Sequence, residues 1–402
     1  MSNARYTNMG RARYIGRIGA LAVALGFGAG MFAMPFVASG KPSKPDTSSS
    51  TDSASTTSTA PKKKPKVPVT KSVNGVIVRD TDPNDTTVAI TTPGEHSRAV
   101  ARGVGSTADA TNCNRCTATV TGTGSTATAT NGSNNTATVT GDNSHATATD
   151  GNHNTATVNG NNNIGAIARL GDNNTAIISG DNNIVALAGD GGDNNTAIIT
   201  GDGLNSARAW GGDNNTATVN GDNTNGADAG LGDNNTATAT GNNFNGATAV
   251  SGDNNTATAT GTGASAIAVL GDNNTATADG SGVTASAGIG GHNNTVTVTG
   301  NNSSADIRVG DYNTATLTGN FSGAQSGFGD NNTATVTGDG SHAVAGGNDL
   351  SPGNGNTATV VGDGSTATAG PVDGNTAIVH GDGLSAAATG DGTTVIVPPP
   401  AP

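Results

Sequence analysis

Along residues 116–388, apolar and polar positions alternate in short runs separated by clusters of Gly, Asp and Asn. Alternation places successive side chains on opposite faces of an extended chain, so each run predicts a β-strand and each cluster a turn. The pattern then repeats. Its marker is Asn-Thr-Ala or a near match, with the Thr at Thr117, Thr136, Thr155, Thr175, Thr196, Thr216, Thr236, Thr256, Thr275, Thr295, Thr314, Thr333, Thr357 and Thr376. Markers are 19 to 21 residues apart, except for a step of 24 before Thr357, where GGNDLSPG is inserted. This makes fourteen copies, the first with Cys116 in place of Asn.

Each copy holds two runs, as in GDNNTATAT followed by GNNFNGATAVS across residues 232–251. In the first run Asn135, Ala137 and Val139 share one face, and Thr136, Thr138 and Thr140 share the other. The Ala position is Ala in every copy but one, Val296, and the next is mostly Val, Ile, Leu or Ala, so this face is the interior. The second run turns equally small residues inward, such as Ala127 and Ala129, Ala247 and Ala249, or Ala266 and Ala268. One pair of such strands has too thin a core to stand alone. Copies stacked in register let each strand pair with its equivalent one turn on, about 4.8 Å away, which satisfies the backbone on both sides.

The predicted fold is therefore all-β: a single long β-solenoid of about fourteen 19–21-residue coils with two short strands per coil, about 65 Å long at that spacing. The interior Asn of the marker forms a structural ladder in which each amide bonds to the next: Asn135, Asn154, Asn174, Asn195, Asn215, Asn235, Asn255, Asn274, Asn294, Asn313, Asn332, Asn356 and Asn375. Gly and Asp beside it suit turn positions with positive φ. Residues 116–390 make up the solenoid. Residues 72–115, with the bulkier runs SVNGVIVRD and DTTVAITT, are expected to be an irregular β cap, and 391–402 to end the stack with the strand TTVIV and a Pro-rich tail that cannot donate to a further strand.

Composition agrees with this picture. The chain of 402 residues has 62 Gly and only 10 aromatic residues, which excludes an ordinary globular core of large side chains. Charge divides it unequally. Residues 1–116 carry 15 of the 18 Lys and Arg against 7 acids, while the rest carries only Arg169, Arg208 and Arg308 against 23 Asp. Such an acidic body repels phosphate backbones, so no nucleic-acid partner is expected. Residues 1–40 read as a signal peptide: Arg11, Arg13 and Arg17 precede an apolar stretch at 18–38, with cleavage expected after Gly40. The alternative is an uncleaved anchor, the one membrane contact expected. Residues 41–71, rich in Ser, Thr, Pro and Lys, read as a disordered linker.

Few residues invite chemistry. Cys113 and Cys116, in CNRC, are the only cysteines and are candidates for a disulfide pinning the first coil, with a redox pair or a zinc ligand pair as alternatives. The six His are scattered, and the only Glu is Glu95, so no catalytic cluster is indicated and no enzyme is expected. No cofactor is expected. Calcium stays open because turns are rich in Gly and Asp, although the calcium-binding nonapeptide is absent.

The outward Thr grid is the candidate binding surface: Thr136, Thr138, Thr140, Thr216, Thr218, Thr236, Thr238, Thr240, Thr256, Thr258, Thr260, Thr333, Thr335 and Thr337. Thr is also simply a β-favouring, soluble choice for an exposed strand. The outward face of the second run shows Ile167, Leu187, Arg208, Asp228, Thr248, Ile267, Asp306 and Gln325, with no uniform chemistry.

The half-repeat G-x-x-N-x-A-x-V, as in GDNNTATV at 212–219, resembles the curlin repeat of bacterial curli subunits. That resemblance implies a β-solenoid whose subunits stack into extracellular amyloid, although curlin's Gln positions are Gly, Thr or Ser here. The repeats also resemble the heads of trimeric adhesins, the Thr-x-Thr face resembles insect-type antifreeze solenoids, and RARYIGRIGALAVALG resembles leaders of mycobacterial and related actinobacterial secreted proteins. Together these imply an extracellular or cell-envelope location. The expected function is a non-enzymatic structural or adhesive repeat protein that contacts an envelope or host surface polymer. A self-assembling amyloid-like subunit and an ice- or crystal-surface binder are the alternatives.

Overall fold

The computed structural model describes residues 66–400 apart from 289, 349 and 350. The signal peptide expected at 1–40, its cleavage point, and the linker up to residue 65 lie outside the described residues.

Two sheets face each other across a narrow interior, one of 18 strands and one of 16. The first runs build the first sheet, from Arg98–Arg102 and Thr117–Thr121 through to Thr376–His380 and Thr394–Val397. The second runs build the second sheet, from Val88–Thr91 and Thr107–Ala110 through to Ser385–Ala388. Pairing from coil to coil is parallel and in register, with Thr136 opposite Thr155, Ala137 opposite Ala156 and Val139 opposite Val158. Equivalent positions therefore stack on one another along the whole body, which is a β-solenoid of about sixteen coils.

The sequence marker counts only fourteen because the first two coils lack it. Val88–Thr91 and Thr107–Ala110 lie within 72–115 and already stack in parallel on each other and on Thr126–Ala129. Ser97 and Ser106, both fully buried, stand at the bends of these coils.

Irregular structure at this end is limited to a hairpin. Val69–Val73 pairs antiparallel with both Arg98–Arg102 and Val76–Asp80. This strand begins three residues inside the segment expected to be linker, because Thr70 and Ser72 find partners in the interior. Thr70 donates to the Thr87 carbonyl at 2.9 Å, and the Ser72 and Thr91 hydroxyls share a bond of 2.7 Å. The outer strand is blunted by a register shift and by Arg79 and Asp80, which discourage further pairing. At the other end Leu384, Val395 and Val397 pack on the core before Pro398, Pro399 and Pro400 end the ladder.

The interior is made of small residues. Ala118, Val120, Ala127 and Ala129 in one coil are all fully buried. The second inward position of the first run is larger at Ile178, Ile199 and Leu317 and small at Ala239, Ala259 and Ala278. This leaves little apolar area per coil, so backbone and corner hydrogen bonds carry much of the specificity of the stack.

Candidate functional site

The bends between strands are where GDNN acts. In residues 212–215 each position has its own task. Gly212 sits at φ +148, where an added Cβ would come within 2.2 Å of the Gly232 carbonyl oxygen in the next coil. Asp213 accepts the backbone N–H of Asp193 in the preceding coil at 2.8 Å. Asn214 takes φ +59, and Asn215 is fully buried. The positive-φ residues are thus Gly and the first Asn. Asp is a bridge between coils, because its short carboxylate reaches an N–H that the turn would otherwise leave free.

All thirteen interior Asn of the ladder are fully buried and stacked. Their bonding differs from an amide-to-amide chain. The Asn215 Oδ1 accepts the backbone N–H of Asn235 at 2.9 Å, and its Nδ2 donates to the Gly232 carbonyl at 2.8 Å. The same arrangement links Asn135, Asn154, Asn174 and Asn195. The reason is geometric: where the chain turns, a buried N–H and carbonyl leave the sheet ladder, and the primary amide satisfies both. Direct amide contact occurs at Asn356, whose Nδ2 reaches Asn332 Oδ1 at 3.2 Å across the inserted coil.

Cys113 and Cys116 are joined in a disulfide. Both are buried, and Cys116 occupies the Asn position, its sulfur accepting the Asn135 N–H at 3.2 Å. Ser97 takes the same role one coil earlier, accepting the Cys116 N–H at 3.0 Å.

A second buried polar column went unrecognised in the sequence. It precedes the second run and includes Ser125, Ser144, Asn163, Asn183, Asn205, Asn225 and Asn245. Ser144 Oγ, for example, accepts the Asn163 N–H at 3.1 Å and donates to the Gly160 carbonyl at 2.9 Å. The available signal was the recurring Ser or Asn two or three residues before the first inward Ala of that run.

The fourteen candidate Thr all lie on the outward face of the first sheet. The column that begins with Thr117 is Thr in every coil to Thr394. The middle column is Thr except at Ile177, Ile198, Ile378 and Ile396, and the third column varies more, with Asn159, Asp279 and His380 among its members. Stacking leaves most of the first two columns half-buried and most of the third exposed.

The second sheet's outward face is varied. It holds all three Arg of the acidic body, each beside an Asp: Arg169 with Asp190 at 3.4 Å, Arg208 with Asp228 at 4.0 Å, and Arg308 with Asp306 at 3.5 Å. Burial raises the Asp228 carboxyl above the ordinary Asp value, and Arg208 opposes that rise. The same face has a shallow depression of about 470 Å³ over Gly323. Among the described residues, no group of three or more His, Cys, Asp or Glu is arranged to hold a metal ion. His292 substitutes for Asp in its column, accepting the Asp272 N–H through Nδ1 at 2.9 Å.

No protein-family model matches the chain, and comparison with curated proteins and with solved structures likewise found no match.

Proposed function

We propose that this is a secreted, non-enzymatic structural and adhesive protein of the cell surface or envelope, and that its threonine face engages an extended surface polymer. The observation that carries this reading is the unbroken Thr column from Thr117 to Thr394, in register from coil to coil. Each Thr offers one hydroxyl and one methyl group, so a single rung binds weakly. Rungs repeated at the strand spacing of about 4.8 Å let a polymer make many such contacts after the first, and avidity then grows with length.

The test is co-sedimentation of the full-length secreted protein with isolated cell-wall polysaccharide, repeated with Thr218→Lys, Thr238→Lys and Thr258→Lys combined. These positions are outward and adjacent in successive coils. Binding that falls with the triple variant supports the assignment; binding that is unchanged refutes it. Recovery of the native protein only from the cytosol refutes the location. End-to-end self-association is a second reading, favoured by Val76, Ile77 and Val78, which are 53–61% exposed on the terminal hairpin. It predicts concentration-dependent sedimentation that Ile77→Lys abolishes.

A further inference from the structure

The turn before the second run has a backbone requirement that most coils meet with residues suited to it. Asn143, Asn162, Asn182 and Asn302 there all have φ between +50 and +61, and Gly263, Gly282 and Gly340 have φ near +60. Two coils place a phenylalanine at this position instead. Phe244 has φ +64 and is 70% exposed; Phe321 has φ +53 and is 68% exposed. A bulky residue in the left-handed region is strained, and an exposed ring contributes nothing to the core. Folding therefore gives no reason for either.

Both phenylalanines belong to the same local unit, Phe-x-Gly-Ala: Phe244 with Gly246 and Phe321 with Gly323. In each, the glycine occupies an outward position of the second sheet and removes the side chain that Ser206, Ser265 or Ser304 provides in its own coil. A Cβ on Gly246 would meet nothing within 4 Å, so the space beside it is open. At Gly323 the same omission opens the depression of about 470 Å³, into which the His342 ring leans, its Cδ2 lying 2.9 Å from where a Cβ would be. Each unit also has an Asp–Arg pair within the two preceding coils: Asp228 with Arg208 near Gly246, and Asp306 with Arg308 near Gly323. Gln325, the only Gln in the chain, lies beside Asp306 in the strand register.

We propose that these two units are matched subsites for neutral saccharide residues, each using an exposed phenylalanine to stack on the C–H face of a sugar ring. The glycine gap admits the ring edge. The paired Asp and Arg, with Gln325 and His342 at the second subsite, offer both acceptors and donors to hydroxyl groups. A neutral ligand follows from the charges: each Arg is already compensated by its Asp, and the acidic body repels polyanions. Four coils separate the units, or about 19 Å at the strand spacing, so one extended chain can occupy both. This assignment concerns the face opposite the threonine grid and does not depend on that grid binding anything.

The experiment is saturation-transfer NMR of the full-length protein with cellohexaose and mannohexaose, and with a hyaluronan hexasaccharide as the anionic comparator. Variants Phe244→Asn and Phe321→Asn place in each turn the residue that other coils use, and Gly246→Ser and Gly323→Ser restore the side chain of neighbouring coils, so the solenoid is retained and circular dichroism confirms it. Saturation transfer from at least one neutral oligosaccharide, weakened about tenfold in affinity by either Phe variant and lost in the double variant, is the expected result. The proposal is overturned if neither neutral oligosaccharide receives saturation, if the double Phe variant binds like the native protein, or if the anionic ligand binds more tightly.

Discussion

Replacing Asn215 by Ala tests the logic of the whole stack. The Asn215 side chain is fully buried and serves two backbone groups of the next coil, the N–H of Asn235 at 2.9 Å and the carbonyl of Gly232 at 2.8 Å. Ala leaves both without a partner inside a closed corner. An orphaned buried group costs about 1–3 kcal/mol, so the pair predicts a loss of about 2–6 kcal/mol. Asn215→Asp is the sharper variant. It keeps the acceptor for Asn235 but turns an oxygen toward the Gly232 carbonyl and buries a charge, which pushes the new carboxyl above its ordinary value. Because that folded-state value is raised, the Asp variant loses most stability at neutral pH and regains part of it as pH falls through the raised value, when the protonated carboxyl can donate.

Trp210, the only tryptophan, lies five residues before Asn215 and reports locally. Urea unfolding followed by its fluorescence, compared with far-ultraviolet circular dichroism, separates a local opening from collapse of the array. A loss below about 1 kcal/mol for the Ala variant, where two orphans predict more, refutes the assignment of the corner bonds. So does an Asp variant as stable as the native protein at pH 7.

Three further outcomes follow from particular residues. Gly141→Ala brings a Cβ to 2.0 Å from the Gly160 carbonyl oxygen and should destabilise by about 3 kcal/mol, whereas Gly340→Ala, with nothing within 4 Å, should cost about 1 kcal/mol of left-handed strain; equal melting temperatures would contradict this. Asp82 is held down to about 2, chiefly by the Asn84 N–H and also by the Thr86 hydroxyl and the Thr87 N–H, so its contribution is complete above the ordinary value of 3.8 and is lost as pH falls toward 2. Hydrogen exchange in the N-terminal hairpin should accelerate across that window, and Asp82→Asn should remove the pH dependence. Asp172, Asp193, Asp213, Asp233, Asp253 and Asp272 stack in consecutive coils through side-chain to backbone bonds, so raising the salt from low ionic strength should raise the melting temperature by screening their repulsion; a fall would refute this.

Much of this fold could be read from the chain because the signals repeat. A period of two within each run, interrupted by Gly, Asp and Asn at fixed intervals, leaves few arrangements other than stacked coils. The coils at Val88–Thr91 and Thr107–Ala110 were harder to see, since Ser97 replaces the marker Asn and the first of these strands resembles any bulky β run. The ladder's residues were identifiable, but its bonds were not: sequence shows that Asn recurs inside, and only the folded stack shows that the amide faces backbone groups of the next coil. At the outward faces the Thr grid followed from alternation. The grouping of Phe321, Gly323, Gln325 and His342 did not, because it depends on which positions in successive coils become neighbours.

The side-chain oxygens of the Asn column all face one way. Each Asn offers its oxygen to the coil that follows it in the chain, and at the last member Asn375 donates its Nδ2 back to Val372 in its own coil. A chain made amino-terminus first thus presents, at each coil, acceptors waiting for the next twenty or so residues, so assembly becomes a series of short local additions rather than one long search. The hairpin at Val69–Asp80 pairs on the first coil, so shortening the protein from its carboxyl end should yield shorter solenoids, whereas deleting the hairpin should leave the first coil without its partner strand.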